Sequence, residues 1–99
     1  MDKDKLIADA WEAGSNEYFP DDPRRDSFED GFKQGAEWLM QQPLSDRLTE
    51  EEKERIMFAY KVSTRYFKMT ENTNPHVAEV FRGQIQLLIS IFGKELFNQ

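Results

Sequence analysis

Apolar positions along this chain recur at helical spacing in four stretches. No segment alternates apolar and polar residues long enough to argue for a strand. Ile7, Ala10, Trp11, Gly14 and Tyr18 share one face of a first helix predicted over residues 3–18. FPDDPRRD, residues 19–26, holds two prolines and three aspartates and reads as a loop. A second helix is expected from Ser27, where Ser27 and Asp30 form a weak capping box, with Phe28, Phe32, Gly35, Ala36 and Leu39 as its apolar stripe. It should end near Gln42, because Pro43 disfavours helical backbone in the residue before it.

Residues 43–48 connect two halves. Thr49 followed by Glu52 is a stronger capping box, and three glutamates in one turn suit the positive end of a helix running to about Thr70. Asn74 then serves as N-cap with Pro75 in the first helical position, opening a fourth helix that reaches about Phe92. Gly93 is its expected C-cap, and the tail KELFNQ is expected to dock Leu96 and Phe97 back on the bundle. The prediction is an all-α single domain over residues 1–99: a four-helix bundle of two packed hairpins, residues 1–42 and 49–99.

Two features of this pattern stand out. The third helix (Ile56, Phe58, Ala59, Tyr60, Val62, Ser63, Tyr66, Phe67, Met69) and the fourth (Val77, Val80, Phe81, Ile85, Leu87, Leu88, Ile91, Phe92) are each apolar over about 200° of their circumference, twice what an outer helix needs. The surplus predicts a homo-oligomer or partner groove formed mainly by the C-terminal half, with Val80, Gln84, Leu87, Leu88 and Ile91 as interface candidates; the alternative is a compact monomer with a tight four-helix core. Gln84 lies inside the apolar arc, where a polar residue either fixes register between copies or bonds a backbone carbonyl within the monomer. The second feature is GFKQGAEW. Gly31 and Gly35 sit inside a helix at about 1 kcal/mol each against alanine. With Ala10 and Gly14 they form small-x-x-x-small pairs, so the first two helices are expected to cross closely there, Trp11 and Trp38 closing the sides.

Composition narrows the function classes. With no cysteine, disulfides, thiolate metal sites and a Cys nucleophile are excluded, and a single histidine makes a zinc site of the usual kind improbable. His76 and Glu79 share one helical side but two ligands are too few, so no metal and no cofactor are expected. The first residues lack a signal-peptide pattern and no run approaches a membrane span, which points to the cytoplasm and no membrane contact. The net charge of -6 falls entirely on residues 1–49, with six basic and twelve acidic side chains; the rest is neutral at seven of each. An acidic half argues against general DNA binding and reads either as a solvated surface or as suited to a basic partner.

Between Arg55 and Met69 there is no acidic residue. Lys61, Arg65 and Lys68, preceded by Arg55 and flanked by Tyr60 and Tyr66, form a basic, aromatic face able to hold a phosphate or nucleotide base. The plainer reading of that face is solvation. No nucleophile, base and orienting carboxylate cluster by motif and no phosphate loop is present, so no catalytic residues are assigned and no enzyme activity is expected.

GFKQGAEWL, preceded by DSFED, resembles a segment recurring in small phage and prophage proteins, notably those of gut bacteria. There a GF-x-x-GA-x-W pattern follows a polar loop, and an AW-x-AG-like helix often precedes it. The matching residues here are Ala10, Trp11, Ala13, Gly14, Phe28, Gly31, Phe32, Gly35, Ala36 and Trp38. The resemblance covers some 35 of 99 residues. It implies a genomic context rather than an activity: a small protein that binds, such as an inhibitor of a host defence or regulatory factor. The expectation is a non-enzymatic helical binder acting by self-association and protein contacts, with a sponge for a phosphorylated small molecule or signal nucleotide as the alternative.

Overall fold

The computed structural model describes residues 2–42 and 48–98. Four helices follow in order: α1 (Lys3–Ser15), α2 (Pro23–Met40), α3 (Glu50–Thr70) and α4 (Pro75–Phe92), then a 3₁₀ turn over Lys94–Phe97. No strand occurs among the described residues, and none of their helices is long and apolar enough to cross a membrane. The connector at residues 43–47, including the Pro43 stop, lies outside the described residues.

Each helix start has a side chain that satisfies an orphan backbone N–H. Asp2 accepts from the Asp4 amide at 3.0 Å on α1, and Asn74 accepts from Val77 at 3.3 Å on α4, with Pro75 following. On α3 the Thr49 hydroxyl accepts from the Glu52 amide at 3.1 Å while Glu52 accepts from the Thr49 amide at 3.2 Å, a complete capping box. On α2 the cap is Asp22, which accepts from the Arg24 amide at 2.9 Å, with Pro23 in the first turn. The helix therefore begins four residues before Ser27. In DDPRRD the Asp-Pro pair opens a helix as Asn74-Pro75 does, and the reading of residues 19–26 as loop holds only to Asp22. Gly93, at φ 83°, ends α4 in a conformation that favours glycine. The turn beyond it stacks Phe97 on Tyr60 of α3 at 4.2 Å between centroids, so the tail does dock. The Lys3 ammonium donates to the Leu39 and Met40 carbonyls at 3.2 and 3.4 Å, a cation at the negative end of α2.

α4 is the central helix. α1, α2, α3 and the terminal turn all pack on it, whereas α2 and α3 do not approach one another along their length. Leu87, expected at an interface, is 0% exposed and so belongs to the core, and Leu88 is 4% exposed, while Val77 of the same helix keeps 36% of its surface in water. Ile91 packs against the core of Ala10, Tyr18, Phe28, Phe32, Leu39 and Leu87, and Val80 lies against α2.

The small residues mark a close helix contact, but not the expected one. A Cβ on Gly31 would fall 1.6 Å from the Val80 carbonyl oxygen, and one on Gly83 would fall 2.4 Å from the Phe28 carbonyl oxygen. Thus α2 crosses α4 with backbone against backbone at Gly31 and Gly83. Gly35 faces the Leu87 side chain and Gly14 faces the Phe28 ring. Small-residue spacing on α1 and α2 signalled close approach without saying to which helix. Ala10 is buried, and Trp11 caps the aromatic row of α2, stacked on Phe28 at 5.9 Å and edge-on to Phe32 at 5.3 Å.

Candidate functional site

Because α2 and α3 both rest on α4 without meeting, a groove of about 410 Å³ opens between them. One wall is Gln34, Gly35 and Trp38 of α2; the other is Arg55, Phe58, Ala59, Val62 and Ser63 of α3; Gln84 and Leu88 of α4 form the floor. Its volume falls in the range of ligand sites, and its lining is mainly apolar with a few placed polar groups.

Those polar groups are organised. The Ser63 hydroxyl donates to Gln84 Oε1 at 3.2 Å, and Gln84 Nε2 donates to Gln34 Oε1 at 3.2 Å. The chain of three side chains ties α3 to α4 to α2 across the floor. It also answers the question that Gln84 raised: its amide is satisfied within the monomer, by side chains rather than by a backbone carbonyl. At one end of the groove Arg55 donates to Gln42 Oε1 at 2.9 Å and pairs with Glu51 at 3.3 Å.

Phe58 stands at the rim, 70% exposed. Met69 and Tyr66 are also exposed farther along α3. Large apolar side chains held in water along one helix face are the informative exception in a small protein. Of the third and fourth helices, both read from the sequence as carrying surplus apolar surface, α3 exposes most of it, with Val77 of α4 36% exposed.

The basic-aromatic face of α3 is partly dismantled as a base-stacking site. Tyr60 is stacked on Phe97, and Tyr66 is stacked on Phe81 at 5.2 Å, so one face of each ring is taken. Lys61, Arg65 and Lys68 are exposed, and among the described residues no carboxylate pairs with any of them. Arg55 belongs to the groove wall. Of the packing residues, Gly35 and Trp38 line the groove, while Ala10, Trp11, Gly14 and Gly31 lie in the core on its other side.

A second polar cluster lies away from the groove. Glu79 of α4 is 7% exposed and accepts a hydrogen bond from the Tyr18 hydroxyl. Arg82 pairs with Glu17 at 2.7 Å, approaches Glu79 at 3.8 Å and sits 5.6 Å over the Tyr18 ring. Burial first, and then the bond to Glu79, push the Tyr18 phenol far above its ordinary range. This cluster clamps the segment after α1 onto α4. It also occupies the Glu79 carboxyl, while His76 is exposed, with Nδ1 3.4 Å from the Ser27 hydroxyl. Among the described residues no three potential metal ligands come together.

The sequence reading expected a partner groove mainly in the C-terminal half and missed its α2 wall, because the two walls come from distant parts of the chain. Gln34, Gly35 and Trp38 lie in one half of the chain and Phe58, Val62 and Ser63 in the other. The available signal was the third helix, whose apolar arc was wider than one core contact needs. Comparison with protein-family models, with curated proteins and with solved structures finds no match.

Proposed function

We propose that the protein is a non-enzymatic, cytoplasmic binding protein that works by protein–protein contacts through the groove between α2 and α3. The observation that carries this reading is an apolar trough of about 410 Å³ flanked by two helices and rimmed by the exposed Phe58. Such a trough suits the apolar face of a third helix, as in other helix-in-groove recognition. Side chains on the guest at spacing i, i+3 or i+4 would enter beside Trp38, Val62 and Leu88, and the Ser63–Gln84–Gln34 row would supply polar contacts beneath them. The GF-x-x-GA-x-W resemblance extends this to a phage- or prophage-encoded binder acting in the host cell, where covering a surface of a defence or regulatory factor is sufficient to inhibit it.

A photo-crosslinking residue placed at Phe58 tests the groove, with the same residue at the exposed Ala13 as control. Irradiation of cells producing the full chain should yield covalent protein adducts from position 58 and not from position 13. Absence of any adduct from position 58 overturns the reading.

A second reading is favoured by the unpaired cations Lys61, Arg65 and Lys68: capture of a phosphorylated small molecule or signal nucleotide on the outer face of α3. It predicts that such a ligand raises the melting temperature. Arg65→Ala with Lys68→Ala should remove the shift; a shift that survives rules this face out.

A further inference from the structure

The groove has a chemical direction along its length. The Ser63–Gln84–Gln34 row crosses one end. Arg55, the one charged residue of the lining among the described residues, stands at the other end, where it bonds Gln42. Ser63 and Arg55 are eight residues apart on α3, so about 12 Å of helix separates the two ends. Along α2 the order Gln34, Trp38, Gln42 runs the same way, one helical turn at a time. Trp38, Phe58, Ala59, Val62 and Leu88 line the groove with apolar surface.

A single cation at the end of an apolar trough limits what the trough accepts. The Ser63, Gln84 and Gln34 side chains bond one another, so that end calls for no charge. The Arg55 guanidinium carries five N–H donors. Among the described residues, its bonds to Gln42 and Glu51 take one on each terminal nitrogen. Glu51 lies out in solvent, its side chain 83% exposed. An exposed pair of this kind contributes little and is readily exchanged for another carboxylate.

We propose that the groove is also a small-molecule site. Its ligand is an apolar monocarboxylate lying lengthwise, with its anion on Arg55 and its hydrocarbon body between Trp38, Val62 and Leu88. About 410 Å³ is within the range of small-ligand cavities, and mainly apolar walls with one placed charge are their usual lining. A docked helix would fill the same space, so acid and helix exclude each other. Binding of the acid depends on the groove alone and not on the reading of it as a protein-docking surface.

Titration of the full chain with decanoate, followed by tryptophan fluorescence, tests this. Trp38 lines the groove, whereas Trp11 lies against Phe28 and Phe32; Trp38→Phe should therefore remove most of the change. Saturable binding with a Kd below about 1 mM is expected for a ligand of this size. Decylamine has the same body and the opposite charge. It should bind about tenfold more weakly, although the net charge of -6 favours it over the rest of the surface. Arg55→Gln, at an exposed position, should weaken decanoate about tenfold by removing a charged hydrogen bond, and should abolish the preference over decylamine. Ala59→Leu, which fills the groove from its α3 wall, should block both ligands, with thermal melts showing that the chain still folds. Absence of saturable decanoate binding up to about 1 mM overturns the inference. Equal affinity for decanoate and decylamine overturns it too, as does a decanoate affinity unaltered by Arg55→Gln. Decanoate binding without adducts from position 58 in cells supports this site and removes the docking reading; adducts without decanoate binding do the reverse.

Discussion

The close crossing of α2 and α4 can be tested by adding one methyl group at two positions of the same helix. In Gly31→Ala the new Cβ would stand 1.6 Å from the Val80 carbonyl oxygen, 2.3 Å from its carbon and 2.6 Å from its Cα, where ordinary contact begins at 3.4 Å. All three obstacles are main chain in the middle of a helix, so none can rotate away. The helices must separate by well over 1 Å. A gap of about 0.5–1 Å already forfeits a quarter to a half of a dispersion contact, and here Phe28, Phe32, Leu39 and Leu87 would all feel it. Overpacking typically costs about 1–3 kcal/mol and more where nothing can yield; alanine returns about 1 kcal/mol of helix propensity. Taking the cost at about 4 kcal/mol, above that range because only main chain stands in the way, a net loss of about 3 kcal/mol is expected for Gly31→Ala, which lowers the melting temperature of a domain this size by about 12–24 °C. Gly35→Ala is the control. Its Cβ would meet only the Leu87 Cδ2 at 2.9 Å, the end of a flexible side chain. The same propensity gain then roughly cancels a small shift of Leu87, leaving the variant within about 1 kcal/mol of wild type. Urea melts followed by far-UV circular dichroism at one fixed protein concentration measure both. Because propensity cancels between the two variants, the difference of about 3 kcal/mol reports the helix crossing alone. Equal stability of Gly31→Ala and Gly35→Ala would refute the backbone contact.

Three further outcomes follow from the same packing. Leu87→Ala, at a fully buried position, should cost about 2–5 kcal/mol in the same melts; a loss below 1 kcal/mol would show that α4 is not the centre of the core. Tyr18→Phe should change the response to alkali: the raised phenol pKa means the folded chain holds this proton more tightly than the unfolded one. That stability is complete below the unfolded value of about 10 and falls as pH rises past it. Thermal melts between pH 8 and 11.5 should fall more steeply for wild type than for Tyr18→Phe, and equal slopes would contradict the buried position of the phenol. Thr49→Ala, which removes half of the α3 capping box, should cost about 1 kcal/mol, measured by urea melts; no change would mean that the first turn of α3 frays in the wild type.

Much of the fold was legible because helix signals are local. Thr49 with Glu52, Asn74 with Pro75, and Gly93 act on backbone groups within four residues, and each performs its expected role. Asp22 with Pro23 carries the same local chemistry, yet beside Pro20 and three aspartates it read as a break in the chain. The candidate site was less legible. Of the basic and aromatic residues picked out on α3, only Arg55 lines the groove, and Tyr60 and Tyr66 are engaged by Phe97 and Phe81, residues that lie at separations where spacing gives no guidance.

Local patterns in the chain set the number and type of elements, their caps, and the presence of more apolar surface and more small residues than one helix pair needs. The assignment of those surfaces to partners came from the folded chain. Gly31 and Gly83 bring α2 and α4 into backbone contact, and most of the exposed apolar surface falls to α3 and the groove beside it. The reason is geometric. Periodicity fixes which residues share a face of a helix, because side chains follow the 3.6-residue turn. Which face meets which depends on contacts between segments distant in sequence, such as Gly31 with Val80 and Ser63 with Gln84, and no local pattern encodes those.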